Sequence, residues 1–253
     1  MAREVVRLAA VGDIHCSKTS QGSLQPLFAQ VAEHADILIL CGDLTDYGLP
    51  EEAEVLAQEI KALKLPIIGV LGNHDYESGQ VDEVRDILCN AGITMLDGDT
   101  CEFHGVGFAG IKGFAGGFGR GTLGFWGEQS IKTFVQEAID EQLKLESALA
   151  RLRMEQRIAV LHYAPIQATV EGEPPEIFPF LGTSRLEEPF SRYPVKAIFH
   201  GHAHNGSPEG KTMGGIPVYN VSHSLLKKHY PKQPAFRIFE VPIDEPVAQE
   251  AEA

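Results

Sequence analysis

Three segments of this chain repeat one pattern, and that pattern narrows the possible folds more than any other feature. "VVRLAAVGD" (5–13), "ADILILCGD" (35–43) and "LPIIGVLGNHD" (65–75) are each an apolar run that ends in Gly and then a polar cluster. A short apolar run without alternation suits a strand buried on both faces, the condition of a parallel sheet covered by helices. The stretches between them read as helices, about 22–34 and about 50–64, the second with Pro50 near its start and acids in its first turn. Strand and helix in alternation predict βαβ units and a largely parallel sheet. A third helix at about 79–91 leads to "GITML" (92–96).

The middle of the chain changes character. Residues 101–127 are rich in Gly and Phe; the first part alternates like a hairpin and the second reads as a loop. A long amphipathic helix follows at about 128–155, with Ile131, Phe134, Ala138, Leu145, Leu149 and Leu152 on one stripe. "RIAVLHYAPI" (157–166), "VKAIFHGHAH" (195–204), "IPVYNV" (216–221) and "AFRIFEV" (235–241) complete the expected strands, and 170–190 is Pro-rich and irregular. A length of 253 residues suits one large α/β domain or two small ones, and no linker marks a boundary, so 1–243 is expected to be one domain. The acids of "EVPIDEPVAQEAEA" make 244–253 an expected solvated, disordered tail.

No apolar run is long enough to span a bilayer, and the N-terminus lacks the shape of a signal peptide, so a cytoplasmic location is expected. The net charge of −14 argues against a broad nucleic-acid surface, which needs clustered Lys and Arg. It leaves room for a phosphate-bearing substrate, because bound metal ions reverse local charge. Cys16, Cys41, Cys89 and Cys101 show no CxxC spacing, so a zinc-finger reading is poor.

Ligand-type residues gather where the apolar strands end: Asp13 and His15, Asp43, Asn73 with His74 and Asp75, His162, then His202 and His204. Carboxylate, carboxamide and imidazole are the groups that bind hard-to-intermediate divalent metals. The carboxyl ends of strands are where an open α/β sheet places its site. In extended chain, residues i and i+2 point the same way, so Asp13 with His15, and His202 with His204, are each expected to grip from one side. Gly12, Gly42, Gly72 and Gly201 precede ligand candidates, where the backbone turns sharply or passes close to other groups.

Taken together, "GDIH" (12–15), "GDLTD" (42–46), "GNHD" (72–75), "LHYAP" (161–165) and "GHAH" (201–204) resemble the five motifs of the calcineurin-like metallophosphoesterase superfamily, over nearly the whole chain. The resemblance implies an α/β fold, a four-layer αββα sandwich of two mixed β-sheets with a dinuclear metal site at the strand ends. It implies that Asp13, His15 and His204 hold one metal, that Asn73, His162 and His202 hold the other, and that Asp43 bridges them. It makes His74 catalytic, a non-ligand that protonates the leaving oxygen and, with Asn73, contacts the phosphate. Asp46 and Asp75 would orient these groups.

Two cations about 3.5–4 Å apart would neutralise the phosphate oxygens, and a bridging hydroxide would attack in line, without a Ser or Cys nucleophile. Mixed N/O ligation suits two divalent or trivalent ions, Mn, Fe, Zn or Co, and four imidazoles are too many for Ca²⁺. The expected substrate is a small phosphodiester or phosphomonoester, with no membrane partner. Alternatives are a nuclease acting on oligonucleotides and a non-catalytic scaffold. "GDLTDYG" lacks the Arg of the Ser/Thr protein phosphatase motif, and Asp46 stands where purple acid phosphatases have Tyr. His74 differs from the Arg usual in the lipid-A pathway pyrophosphatases.

Five other features stand outside these motifs. "GFAGGFGRG" (113–121) is expected to be a flexible surface loop or a lid carrying Arg120, Phe114, Phe118 or Trp126 to the substrate, and the Pro-rich 171–181 a cap or a plain connection. His223 is an outer-rim candidate, and "KKHYPK" (227–232) reads as a solvated basic patch. His200, which shares the alternation of His202 and His204, is read as core or as a support to the ligands.

Overall fold

The computed structural model describes residues 5–243, so the acidic tail at 244–253 lies outside the described residues. The N-terminal half runs β1 (Val5–Val11), α1 (Gln25–His34), β2 (Ile37–Cys41), α2 (Pro50–Ile60), β3 (Ile67–Val70), α3 (Val81–Asn90) and β4 (Ile93–Met95). The rest runs β5 (Asp99–Phe103), β6 (Val106–Gly110), α4 (Gln129–Arg151), β7 (Gln156–Val160), α5 (Phe178–Leu181), β8 (Ala197–His200), β9 (Glu209–Lys211), β10 (Pro217–Asn220), α6 (His223–His229) and β11 (Arg237–Pro242).

The strands form two mixed sheets, β11-β1-β2-β3-β4 and β5-β6-β7-β8-β10-β9. In the first, β1 to β4 are parallel and β11 is antiparallel to β1. In the second, β6, β7, β8 and β10 are parallel, with β5 and β9 as antiparallel edges.

Alternation along each strand divides the core into layers. Val6, Leu8 and Ala10 of β1 and Ile37, Ile39 and Cys41 of β2 face the second sheet, where Phe108, Ile158, Val160 and Phe199 meet them. Ala9, Val11, Leu38 and Leu40 face the other way, onto Phe28, Val31, Leu56 and Leu88 of α1 to α3. On the far side Ala109, Ala159, Leu161 and Ile198 pack against Leu145, Ala148 and Leu149 of α4. Helix, sheet, sheet, helix is the four-layer αββα order.

Several expected elements are shorter than their sequence signals. The strands stop before the polar clusters, β1 at Val11, β2 at Cys41, β3 at Val70 and β8 at His200. Residues 22–24 are a turn rather than helix, because buried Glu59 of α2 accepts from the Gly22 and Leu24 amides. The three-residue β9 and the seven-residue α6 carry too little periodicity to be legible beforehand. At the C-terminal strand edge the two sheets touch through backbone: Gly12 donates to Val221 O at 2.9 Å, and His223 donates to Gly12 O at 2.9 Å.

Candidate metal centre

The loops after β1, β2 and β3 in one sheet and after β7 and β8 in the other deliver Asp13, His15, Asp43, Asn73, His162, His202 and His204 to that common edge. Neither Asp13–His15 nor His202–His204 is extended, so the expected i, i+2 alternation does not hold there. Asp13, His15, Asp43 and His202 instead have φ of 54°, 42°, 48° and 69°, in the left-handed region that L-residues seldom occupy. Such conformations persist only where the surroundings enforce them, and they cluster at functional sites. The enforcement is visible at Gly72 and Gly201, where a Cβ would overlap the Asp43 and Asp13 carboxylates respectively. These close approaches, rather than a turn, are why glycine stands there.

The side chains fall into two groups that share Asp43. Asp13, His15, Asp43 and His204 bring their potential ligand atoms within 4.8 Å of one another, and so do Asp43, His162 and His202. Asn73 joins the second group, its Oδ1 lying 2.9 Å from His162 Nε2.

Backbone carbonyls set the ring tautomers. His162 Nδ1 lies 2.9 Å from Cys41 O, and His202 Nε2 lies 3.1 Å from Phe180 O. A carbonyl only accepts, so the proton sits on that nitrogen and the other carries a lone pair. For His162 the lone pair faces Asn73 Oδ1 at 2.9 Å and Asp43 Oδ1 at 3.4 Å. Both nitrogens of His15 are buried with no hydrogen-bond partner among the described residues, although Asp46 Oδ1 is 3.4 Å and Asp43 Oδ2 3.9 Å away.

Electrostatics point the same way. Burial, then the neighbouring Asp13 and Asp75 carboxylates, push the Asp43 carboxyl up to about 9. Burial also raises Asp13, but the hydrogen bond from His204 and the surrounding imidazoles outweigh it and hold it at about 2. Burial lowers His15 and His202 and takes His162 well below the usual imidazole range. His204 is raised by its hydrogen bond to Asp13. Neutral imidazole lone pairs, an orphaned ring and crowded carboxylates form a donor set that fits two hard-to-intermediate cations.

His74 lies beside this set with its ring edge against His15, centroids 4.7 Å apart. Its amide donates to Asp43 Oδ1 at 2.9 Å, and its Nδ1 lies 2.8 Å from Asp46 O. Nδ1 therefore carries a proton, and Nε2 has no hydrogen-bond partner among the described residues. Asp75 orients backbone rather than ligand side chains: fully buried, it accepts from Leu44 N, Thr45 N, Thr45 Oγ1 and Gly72 N at 2.6–3.2 Å. His200 is excluded from the ligand set by its partners. Its Nδ1 faces Gly201 O and its Nε2 faces Thr169 Oγ1, each at 2.8 Å, and it is fully buried.

The Gly-rich segment differs from both expectations. Residues 115–118 are buried; Gly116 donates to Pro179 O and Gly117 to Gly182 O, so the segment underlies 178–182. Phe114 packs on Phe134 and Tyr163, and only Arg120 and its neighbours reach solvent. The Pro-rich segment does border the site, through Phe180 O on His202 and through Glu173 Oε1, which accepts from Asn205 N at 2.6 Å. Sequence reasoning missed the Cys41 and Phe180 carbonyls, for any residue supplies a carbonyl. It also missed Asn220, fully buried, whose Nδ2 donates to Ala203 O at 2.8 Å between the two histidines of "GHAH".

The sequence profile of the calcineurin-like phosphoesterase family matches residues 6–206. No curated protein matches the chain. Among solved structures, the phosphopantetheinyl hydrolase of Mycobacterium tuberculosis superposes with a TM-score of 0.66 at 15% identity, covering 92% of this chain and 95% of that one. TT1561 of Thermus thermophilus gives 0.52 at 13% identity, covering 88% and 91%. A putative 5′-nucleotidase from Staphylococcus aureus gives 0.55 at 16% identity, covering 85% of this chain and 48% of the other. Identities this low speak to the fold alone. The profile match spans most of the chain and every strand end that meets at the cluster, and the protein therefore belongs to the calcineurin-like phosphoesterase family.

Proposed function

We propose that this phosphoester hydrolase acts on a small phosphodiester or phosphomonoester at a two-metal centre. The observation that carries the reading is the convergence of seven donor side chains in two groups that share Asp43, with both buried His15 nitrogens lacking a hydrogen-bond partner among the described residues. Asp13, His15 and His204 would hold one ion, Asn73, His162 and His202 the other, with Asp43 between them. When bound, the ions would supply positive charge to the phosphate oxygens and acidify the attacking water. Manganese, iron and zinc all suit these donors.

The protein's own groups orient and protonate. Phe180 O and Cys41 O hold His202 and His162 with a lone pair turned inward. Asp46 O fixes the His74 ring, so that in its charged form Nε2 presents a proton to the leaving oxygen. Asn73 and His74 would contact the phosphate. All four cysteines are free, in keeping with a reducing, cytoplasmic setting. Residues 1–243 are read as one catalytic domain.

The test is a panel of mono-, di- and cyclic nucleotide phosphates, with phospholipid head groups, on metal-reconstituted protein. His74→Ala should lower kcat by about 10²–10⁴-fold with metal content unchanged, and Asp43→Ala should lose metal as well as activity. Wild type inactive on every substrate with both metals bound would overturn the reading; full activity in Asp43→Ala would remove the bridging assignment.

A further inference from the structure

A groove of mixed polar and apolar lining includes His223, whose backbone amide is hydrogen-bonded to Gly12, the residue before Asp13. It measures about 480 Å³ and lies between the start of α1 and the segment that follows α6. His223, Lys227 and Lys232 line it, with Leu24, Leu27 and Pro231 as apolar wall. Among the described residues no carboxylate lines it. That is unexpected in a chain with 35 acidic against 21 basic residues. The groove is tied to the centre by backbone, because the His223 amide donates to Gly12 O at 2.9 Å and Gly12 precedes Asp13. Lys228, from the same helix, reaches Asn205 Oδ1 at 3.5 Å, next to His204.

We infer that this groove is a subsite for a second phosphate on the substrate, held by Lys227, Lys232 and His223 while the scissile phosphate lies at the metals. The inference rests on the phosphoesterase reading above and narrows it to substrates with two anionic ends and a compact apolar or ring-bearing body between them. The volume is of the size that takes a small organic ligand. Lys ammonium groups bind phosphate as mobile point charges, which suits a groove that selects for charge rather than for one geometry. The basic patch thus has a role in binding, rather than serving only to be solvated.

The experiment compares adenosine 3′,5′-bisphosphate, adenosine 5′-monophosphate and p-nitrophenyl phosphate as substrates of manganese-loaded wild type and K227A/K232A. Both lysines are exposed and neither touches the metal centre, so the variant is expected to fold and to keep its metal. Wild type should prefer the bisphosphate to the monophosphate by on the order of tenfold in kcat/KM. The double substitution should erase that preference and leave p-nitrophenyl phosphate turnover unchanged. Added salt should weaken the preference. Equal use of the two nucleotides by wild type, or an equal loss on all three substrates in the variant, overturns the inference. A lysine-dependent gain seen with a short oligothymidylate but absent with the bisphosphate overturns its small-substrate form.

If metal-loaded wild type hydrolyses none of the three and none of the diesters and cyclic phosphates of the panel above, the phosphoesterase reading fails by itself. Calorimetric titration with the bisphosphate then decides the groove. Binding about tenfold weaker in K227A/K232A upholds it, and unchanged binding overturns it.

Discussion

At the scale of single residues, the cluster is arranged against its own electrostatics. Asp43 is nearly inaccessible, lies near Asp13 and Asp75, and has its carboxyl raised to about 9. In metal-free protein the folded form keeps that proton over a range where the unfolded form releases it. The stabilisation this group contributes is complete below about pH 4 and is lost as pH climbs toward 9. Asp43→Asn keeps the shape without the charge. In chelator it should melt above wild type at pH 8, by a few degrees, with the gap closing toward pH 5. A melting difference that is flat or reversed between those pH values would contradict the assignment. The motifs made Asp43 legible as a ligand candidate, but the sequence carried no sign of its protonation, which depends on distances to Asp13 and Asp75 set by three separate loops.

At the scale of elements, the strand-to-loop joints do the positioning. Buried glutamates and aspartates hold those joints by accepting backbone N–H groups. Glu52 takes Tyr47 N at 2.8 Å and Leu49 N at 3.3 Å, steadying the loop whose Asp46 carbonyl fixes His74. Asp75 binds the loops after β2 and β3 together through four donors. Asp75→Asn turns one acceptor into a donor facing those N–H groups and should cost about 1–3 kcal/mol in chemical denaturation. It should also weaken metal binding measured by competition with a chelator. Unchanged stability would mean that the joint is held by other contacts. Apart from β9, α5 and α6, the helices and strands were legible as alternating patterns to within a few residues. The joints were not, because left-handed residues such as His15 and His202 have no composition that marks them.

At the scale of the whole molecule, the two sheets share an apolar interface along their length and a polar one at a single edge. Asp13, Asp43 and Asn73 come from one sheet, and His162, His202 and His204 from the other. Metal at that edge would cross-link the layers of the sandwich, so it should stabilise the folded chain by mass action. At a free metal concentration about a hundred times Kd the gain is about 2.7 kcal/mol. For a chain of this length that is roughly 5–10 °C in melting temperature. Scanning calorimetry with manganese and then with excess chelator checks it, and an unshifted transition would mean that the folded cluster does not bind the ion. Among the described residues no helix is long and apolar enough to cross a membrane.

Short apolar runs ending in polar clusters determined, by themselves, the βαβ alternation and the five segments that carry the candidate donor residues. Periodicity and residue chemistry are local properties, and a sequence states them directly. The sequence already set His200 of "IFHGHAHNG" apart from His202 and His204; tertiary structure supplied the reason, since His200 is taken by Thr169 and Gly201, groups 31 residues and one residue away. It also decided that 115–118 is buried support rather than lid, and that the basic residues after Val221 line a groove against the start of α1. Each of these depends on which distant segments the packing of the two sheets brings into contact, and no window of the sequence contains that distance.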